Sequence, residues 1–133
     1  MRILAIDYGA ARIGCAISDR TGTLATPLPA LMSGGAEAVA GVAREQEAER
    51  IVIGLPVSLD GEEGPQAQET RRFGDVLSRE VDVPVEYYDE RFTTRMASRT
   101  RRDAGASSDE DSIAAAHLLE AYLQSVHSGE QAS

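Results

Sequence analysis

The run Ile3 to Asp7 is short and almost wholly apolar. Such a run suits a strand buried on both faces, in the middle of a sheet. Ile51 to Val57 repeats the pattern. Two strands of this kind need helices on both faces of their sheet, and the segments around them supply candidates. Gly9 and Gly14 bracket a turn, and Ile13 to Ser18 reads as a second strand pairing with the first as a hairpin. Leu24 to Leu31 reads as a third. Pro27 and Pro29 each remove a ladder donor there, which confines that strand to the sheet edge. Gly35 to Arg50 reads as a helix with Val39, Val42 and Ala43 along one stripe. Ser58 to Gly64 carries turn residues throughout. Pro65 suits the first position of a helix running to about Glu80. Val83 to Tyr88 is the fifth strand, and two helices follow, about Thr94 to Ala104 and Ser108 to Val126.

The predicted order is three strands, helix, strand, helix, strand, two helices. That is an α/β fold: a three-strand antiparallel meander and then β-α units, forming a five-stranded mixed sheet flanked by helices. This is the RNase H-like order of elements. One domain is expected over residues 1–127, with small polar residues 128–133 as a flexible tail. A chain of 133 residues builds a core without disulfide or zinc staples. Its one cysteine, Cys15, permits no internal disulfide and no zinc-ligand pattern. No apolar run approaches the roughly 20 residues that span a membrane. The brief apolar opening does not read as a signal peptide. A cytoplasmic protein with no membrane partner fits these features.

Three acids stand where chemistry is expected. Asp7 closes the first strand, Glu90 follows the fifth, and Asp111 opens the last helix. If strands one and five run the same way and lie close together, Asp7 and Glu90 meet at the carboxyl edge, where open α/β sheets place their sites. The last helix can bring Asp111 to the same edge. Clustered carboxylates repel and need a cation, and hard oxygen donors suit Mg²⁺ or Mn²⁺. Such ions can activate a water and stabilise the leaving oxygen of a phosphoryl displacement. Each acid has a plainer use: Asp7 in a turn, Glu90 in a pair with Arg91 or Arg2, and Asp111 as a first-turn acid that complements the helix dipole.

The net charge of −9 opposes a polyanionic partner at long range, so such a partner needs a local basic patch. Arg91, Arg95, Arg99, Arg101 and Arg102 fall within twelve residues that contain no acid. Arg95, Arg99 and Arg102 share one face if that segment is helical. A phosphate backbone could lie along Arg91, Arg95, Arg99 and Arg102 and reach the acids. A solvated helix face is the plainer reading. All 13 basic residues are arginine, the better bidentate phosphate partner, although coding bias explains that at least as well.

Four segments carry a family resemblance. They are Ile6-Asp7-Tyr8-Gly9-Ala10-Ala11-Arg12-Ile13-Gly14; Ile51-Val52-Ile53-Gly54-Leu55-Pro56 with Leu59-Asp60-Gly61; Asp89-Glu90-Arg91-Phe92-Thr93-Thr94; and Asp111-Ser112-Ile113-Ala114-Ala115-Ala116 with Leu118 to Leu123. In this order they resemble the YqgF/RuvX family over almost the whole chain. The resemblance implies an RNase H-like fold, with Asp7, Glu90 and Asp111 as catalytic and metal-holding acids. It implies an endonuclease acting in 5′-end processing of pre-16S rRNA, in Holliday junction resolution, or in both. Resolution of a two-fold symmetric junction would call for a homodimer. Many members carry a basic residue shortly before the last aspartate. Here Asp109 and Glu110 stand there and compete for the third ligand position. Two other readings stay open. One is a non-catalytic nucleic-acid-binding factor of the same fold. The other is a nucleotide-binding protein of the actin and sugar-kinase kind, whose phosphate-binding hairpin the first segment also resembles.

Overall fold

The computed structural model describes residues 1–9, 11–32, 34–92 and 110–132, with the backbone alone at 110, 111 and 128–132. The expected helix over Thr94 to Ala104 lies outside the described residues, as do Arg95, Arg99, Arg101, Arg102 and Asp109. The elements are β1 (Ile3–Tyr8), β2 (Ile13–Ser18), β3 (Ala25–Leu31), α1 (Gly35–Glu45), β4 (Arg50–Leu55), α2 (Pro65–Glu80), β5 (Val85–Asp89), a single 3₁₀ turn (Glu90–Phe92) and α3 (Glu110–Ala132). The sheet order is β3-β2-β1-β4-β5. β1, β2 and β3 pair antiparallel, while β4 runs parallel to both β1 and β5. The two apolar runs are therefore the adjacent central strands, and the proline-bearing β3 takes the edge.

Alternation along the strands sorts side chains onto two faces. Leu4 and Ile6 of β1, with Ile51 and Ile53 of β4, pack against Val39, Ala43, Phe73 and Leu77 of α1 and α2. Ile3, Ala5 and Val52 pack against Ala115, Leu119, Tyr122 and Leu123 of α3 on the other face. Leu4, Ile6, Ile51 and Ile53 are fully buried, each contributing about 1.5–3 kcal/mol by leaving water.

α1 is shorter than the sequence suggests, ending at Glu45 rather than Arg50. The Ala48 N–H donates to the Ala43 carbonyl and the Glu47 N–H to the Arg44 carbonyl. Glu47 takes φ 55°. This is a Schellman stop with glutamate in the position glycine usually fills. The Arg2 guanidinium holds the last turn by donating to the Gln46 carbonyl at 2.7 Å. β4 stops at Leu55, before Pro56, which has no N–H for the ladder. α3 continues as helix through Ala132, across the segment expected to be a tail. Among the described residues, no helix is long and apolar enough to cross a membrane.

Candidate active site

Three parallel strands end at one edge, and the first and last deliver an acid there. Continuing the alternation of β1, Asp7 falls on the α3 face after Ile3 and Ala5. On β4 that face carries Val52 and Gly54. On β5 it carries Glu86 and Tyr88, with Glu90 next in the 3₁₀ turn. β1 and β5 are not neighbours: β4 lies between them, with Ile53 opposite Ile6 and Gly54 opposite Tyr88. Glu90 nevertheless reaches Asp7 and shares a hydrogen bond with it. The crossing depends on Gly54. A Cβ there would stand 2.9 Å from Glu90 Oε1, 3.1 Å from Glu90 Cγ and 3.1 Å from Leu118 Cδ2. The bare Cα of Gly54 is the trough in which the Glu90 side chain lies.

Two carboxyl groups that share a hydrogen bond do not both stay charged without a cation. Burial pushes the Glu90 carboxyl above the usual range and the charge of Asp89 adds to the rise, while the hydrogen bond to Asp7 pulls partly back. Asp7, Glu90, Ala114, His117 and Leu118 line an open pocket of about 240 Å³. Sequence reasoning assigned no role to Gly54 or His117. The glycine sits in an apolar strand with no local signal. The histidine stands one helical turn past Ala114, a spacing that becomes informative once Ala114 is known to face the pocket.

The first turn of α3 is anchored below this pocket. β2 and β3 shift register between Ile13 and Cys15, and a bulge of that kind frees ladder groups. The Cys15 N–H donates instead to the fully buried Ser112 hydroxyl at 3.2 Å. Asp111 is the residue before Ser112 and stands three before Ala114, so the backbone sets it in the turn that leads into the pocket wall. Among the described residues no three His, Cys, Asp or Glu side chains converge as a metal cage. Asp111 contributes only its backbone to the described set.

Neither plainer partner suggested for Glu90 is the one it takes. Arg2 serves the end of α1. Arg91 is claimed by Asp89, to which its Nε donates at 3.0 and 3.1 Å and its Nη2 at 2.7 Å. Arg91 Nη1 also reaches the Leu59 carbonyl at 3.3 Å. Arg91 thus ties the end of β5 to the β4–α2 loop. That loop is braced internally. Its Asp60 accepts from the Ser58 hydroxyl and the Glu62 N–H, and these bonds hold the carboxyl below its usual range.

The chain matches the family model for RuvX, described as Holliday junction resolvase, over residues 1–125. It is 37% identical over 132 residues to a protein of Halothermothrix orenii named "Putative pre-16S rRNA nuclease", covering 92% of this chain and 94% of that one. A Chloroflexus aurantiacus protein of the same name is 40% identical over 130 residues, covering 91% and 85%. Among solved structures, Thermus thermophilus RuvC in complex with Holliday junction substrate superposes with a TM-score of 0.70 at 15% identity, over 97% of this chain and 96% of that one. The fowlpox virus resolvase, solved with Holliday junction DNA, gives 0.59 at 14%, over 95% and 99%. At these identities the structural likeness is one of fold, and it is the RNase H-like α/β fold that the order of elements predicted. With a family model spanning both acids, the Gly54 trough between them and α3 as far as residue 125, the chain belongs to the RuvX family.

Proposed function

We propose that this protein is a divalent-metal-dependent endonuclease that cleaves a phosphodiester of structured nucleic acid. The observation that carries the reading is the meeting of Asp7 and Glu90 across Gly54. Carboxylate oxygens converging from the end of β1 and the turn after β5 into an open pocket are hard donors of the kind Mg²⁺ and Mn²⁺ take, and they need a cation to be charged together. Asp7 and Glu90 would hold it, with Asp111 as the third acid and Asp109 or Glu110 as competitors for that position. When bound, such a cation supplies an activated water and neutralises charge on the leaving oxygen. The chain supplies the alignment. Asp7 is held rigid by a strand buried on both faces, Glu90 is steered by the Gly54 trough and Leu118, and the turn bearing Asp111 is pinned through Ser112. Such fixed positioning is worth several powers of ten in rate.

On the substrate side, Arg95, Arg99 and Arg102 contact phosphates, answering the net charge of −9 locally. Arg91 keeps Nη hydrogens for a phosphate beyond those that Asp89 and Leu59 take. The relatives' names and the family description point to two substrates: pre-16S rRNA and the Holliday junction. The reading favours rRNA processing in the cytoplasm, with junction cleavage as a second activity that requires a homodimer with paired sites.

The test offers both substrates side by side with Mg²⁺ or Mn²⁺, using Asp7→Asn as the control. Metal-dependent cutting by the native protein, with binding but no cutting by Asp7→Asn, is the expected result. Cutting that persists in chelator refutes the mechanism. A folded protein that binds both nucleic acids and cuts neither is a binding factor instead. Arg95→Ala with Arg99→Ala should flatten the salt dependence of binding.

A further inference from the structure

The chain's two phenylalanines are used in opposite ways. Phe73 is buried and stacks on Tyr8, with ring centroids 4.4 Å apart. Phe92 is 59% exposed although it lies two residues past Glu90. Its ring is fixed all the same. It meets Tyr88 edge-on at 6.0 Å, and Tyr88 meets Tyr122 edge-on at 5.8 Å. The Arg91 guanidinium lies 5.9 Å from its centroid while clamped to Asp89. Leu59, whose carbonyl takes the bond from Arg91 Nη1, is 94% exposed. A braced aromatic ring beside an acid pair, with its apolar surface in water, is a stacking platform.

We infer that Phe92 stacks on an unpaired nucleobase flanking the scissile phosphate. The preferred substrates are therefore strands whose base at that position is already out of the duplex stack, as at a branch point, a loop or a single-stranded end. The inference rests on the nuclease reading and adds a substrate class to it. The spacing agrees. Phe92 stands two residues past Glu90 in the same 3₁₀ turn, an advance of about 4 Å along the turn. A phosphate drawn to the cation that Glu90 and Asp7 would hold therefore leaves a neighbouring base within reach of the ring. The electrostatics agree as well. Arg91 is already paired with Asp89, so contact at this point gains less from phosphate charge and more from the π-face. A base locked in continuous duplex would have to be unstacked before it could be engaged, whereas a displaced base would not.

The experiment uses the full chain with Ca²⁺ in place of Mg²⁺ or Mn²⁺, so that the acid pair has a cation while the oligonucleotides stay intact. Probes are oligonucleotides carrying 2-aminopurine either in an unpaired segment or in continuous duplex. Fluorescence anisotropy reads binding and 2-aminopurine emission reads stacking. The native protein should quench the unpaired probe at one position and bind it more tightly than the duplex. Phe92→Ala should lose the quenching and weaken unpaired binding roughly 5- to 150-fold, leave duplex binding unchanged, and be rescued by Phe92→Trp. Should Phe92→Ala fail to fold, Phe92→Leu, which keeps bulk but not the π-face, is expected to show the same loss. Unchanged emission and affinity in Phe92→Ala, with the native protein binding well, overturns the stacking and leaves the nuclease reading standing. A native protein that binds neither probe overturns both. A Phe92→Ala variant altered only in self-association assigns the ring to a protein contact and overturns the inference.

Discussion

Replacing Gly54 by alanine tests the site with very little else disturbed. The new methyl would stand 2.9 Å from Glu90 Oε1 and 3.1 Å from both Glu90 Cγ and Leu118 Cδ2. Ordinary contact begins near 3.4 Å, so these atoms must give by a few tenths of an ångström. All are side-chain atoms that can rotate away, so the fold accommodates the change. Alanine also removes backbone freedom from the unfolded chain, worth about 0.4–1 kcal/mol in favour of the variant. Stability should therefore stay within about 1 kcal/mol of the native protein. The carboxylate displaced is the one that must meet Asp7: rotating the side chain clear of the methyl swings its oxygens by on the order of 1 Å, a misplacement that costs about 10²-fold in rate. Calorimetric titration with Mn²⁺ should show weakened binding, and cleavage should fall by about 10²-fold, with urea melts nearly unchanged. Gly41→Ala is the control, because a Cβ there meets nothing within 4 Å. It should stabilise α1 by up to about 1 kcal/mol and leave metal binding alone. If Gly54→Ala binds Mn²⁺ and cuts like the native protein, the meeting of Asp7 and Glu90 is not what the site requires. If it unfolds, the trough is a packing feature of the sheet.

Other positions test the fold. At Gly74 of α2 a Cβ would overlap the Tyr87 hydroxyl and stand 2.8 Å from its Cζ, so Gly74→Ala should destabilise by about 1–3 kcal/mol in urea melts despite alanine's better helix propensity. Glu47→Gly removes a side chain from the left-handed region at the stop of α1 and should raise stability by about 1 kcal/mol, read as a higher midpoint at unchanged slope. Burial pushes the Cys15 thiol from 9.0 up to about 12, so at pH 8 a thiol reagent should react only after denaturant is added. The raised value favours the protonated thiol in the folded state. Its stabilisation is fully present below 9.0 and is lost as pH rises toward about 12; a Cys15→Ala variant should lack that part of the alkaline loss.

Much of the architecture is legible in short stretches of the chain. The apolar runs at Ile3 and Ile51 became the central strands because only a strand covered on both faces can hide so many apolar groups in so few residues. Pro27 and Pro29 placed β3 at the edge because a ladder cannot use a residue without an N–H. Pro65 and the turn-rich loop before it mark the start of α2. The end of α1 was not legible. A Schellman stop announces itself through glycine, and here glutamate takes the left-handed position, held by the hydrogen bonds of Ala48 and Arg2 rather than by its own preference. Likewise the 128–132 segment has no apolar stripe, so nothing local marks it as helix.

The site divides in the same way. Asp7 and Glu90 stand out in sequence because carboxylates follow runs that end at a sheet edge. The distance between them does not, because it depends on β4 lying between their strands and on Gly54 lacking a side chain at the crossing. Glu90 comes from a segment 36 residues further along the chain than Gly54, so no local pattern couples the two. The charge reading has a related gap. Arg91 opens an acid-free run, but the acid that binds it, Asp89, stands just upstream of that run, and the pairing removes part of its charge from the patch. What remains at that end of the edge is a braced, nearly neutral aromatic surface beside the two acids. On the proposed reading, an acidic chain holds a polyanion there by letting charge, from the cation and the downstream arginines, and stacking, from Phe92, act on different parts of the same nucleotide.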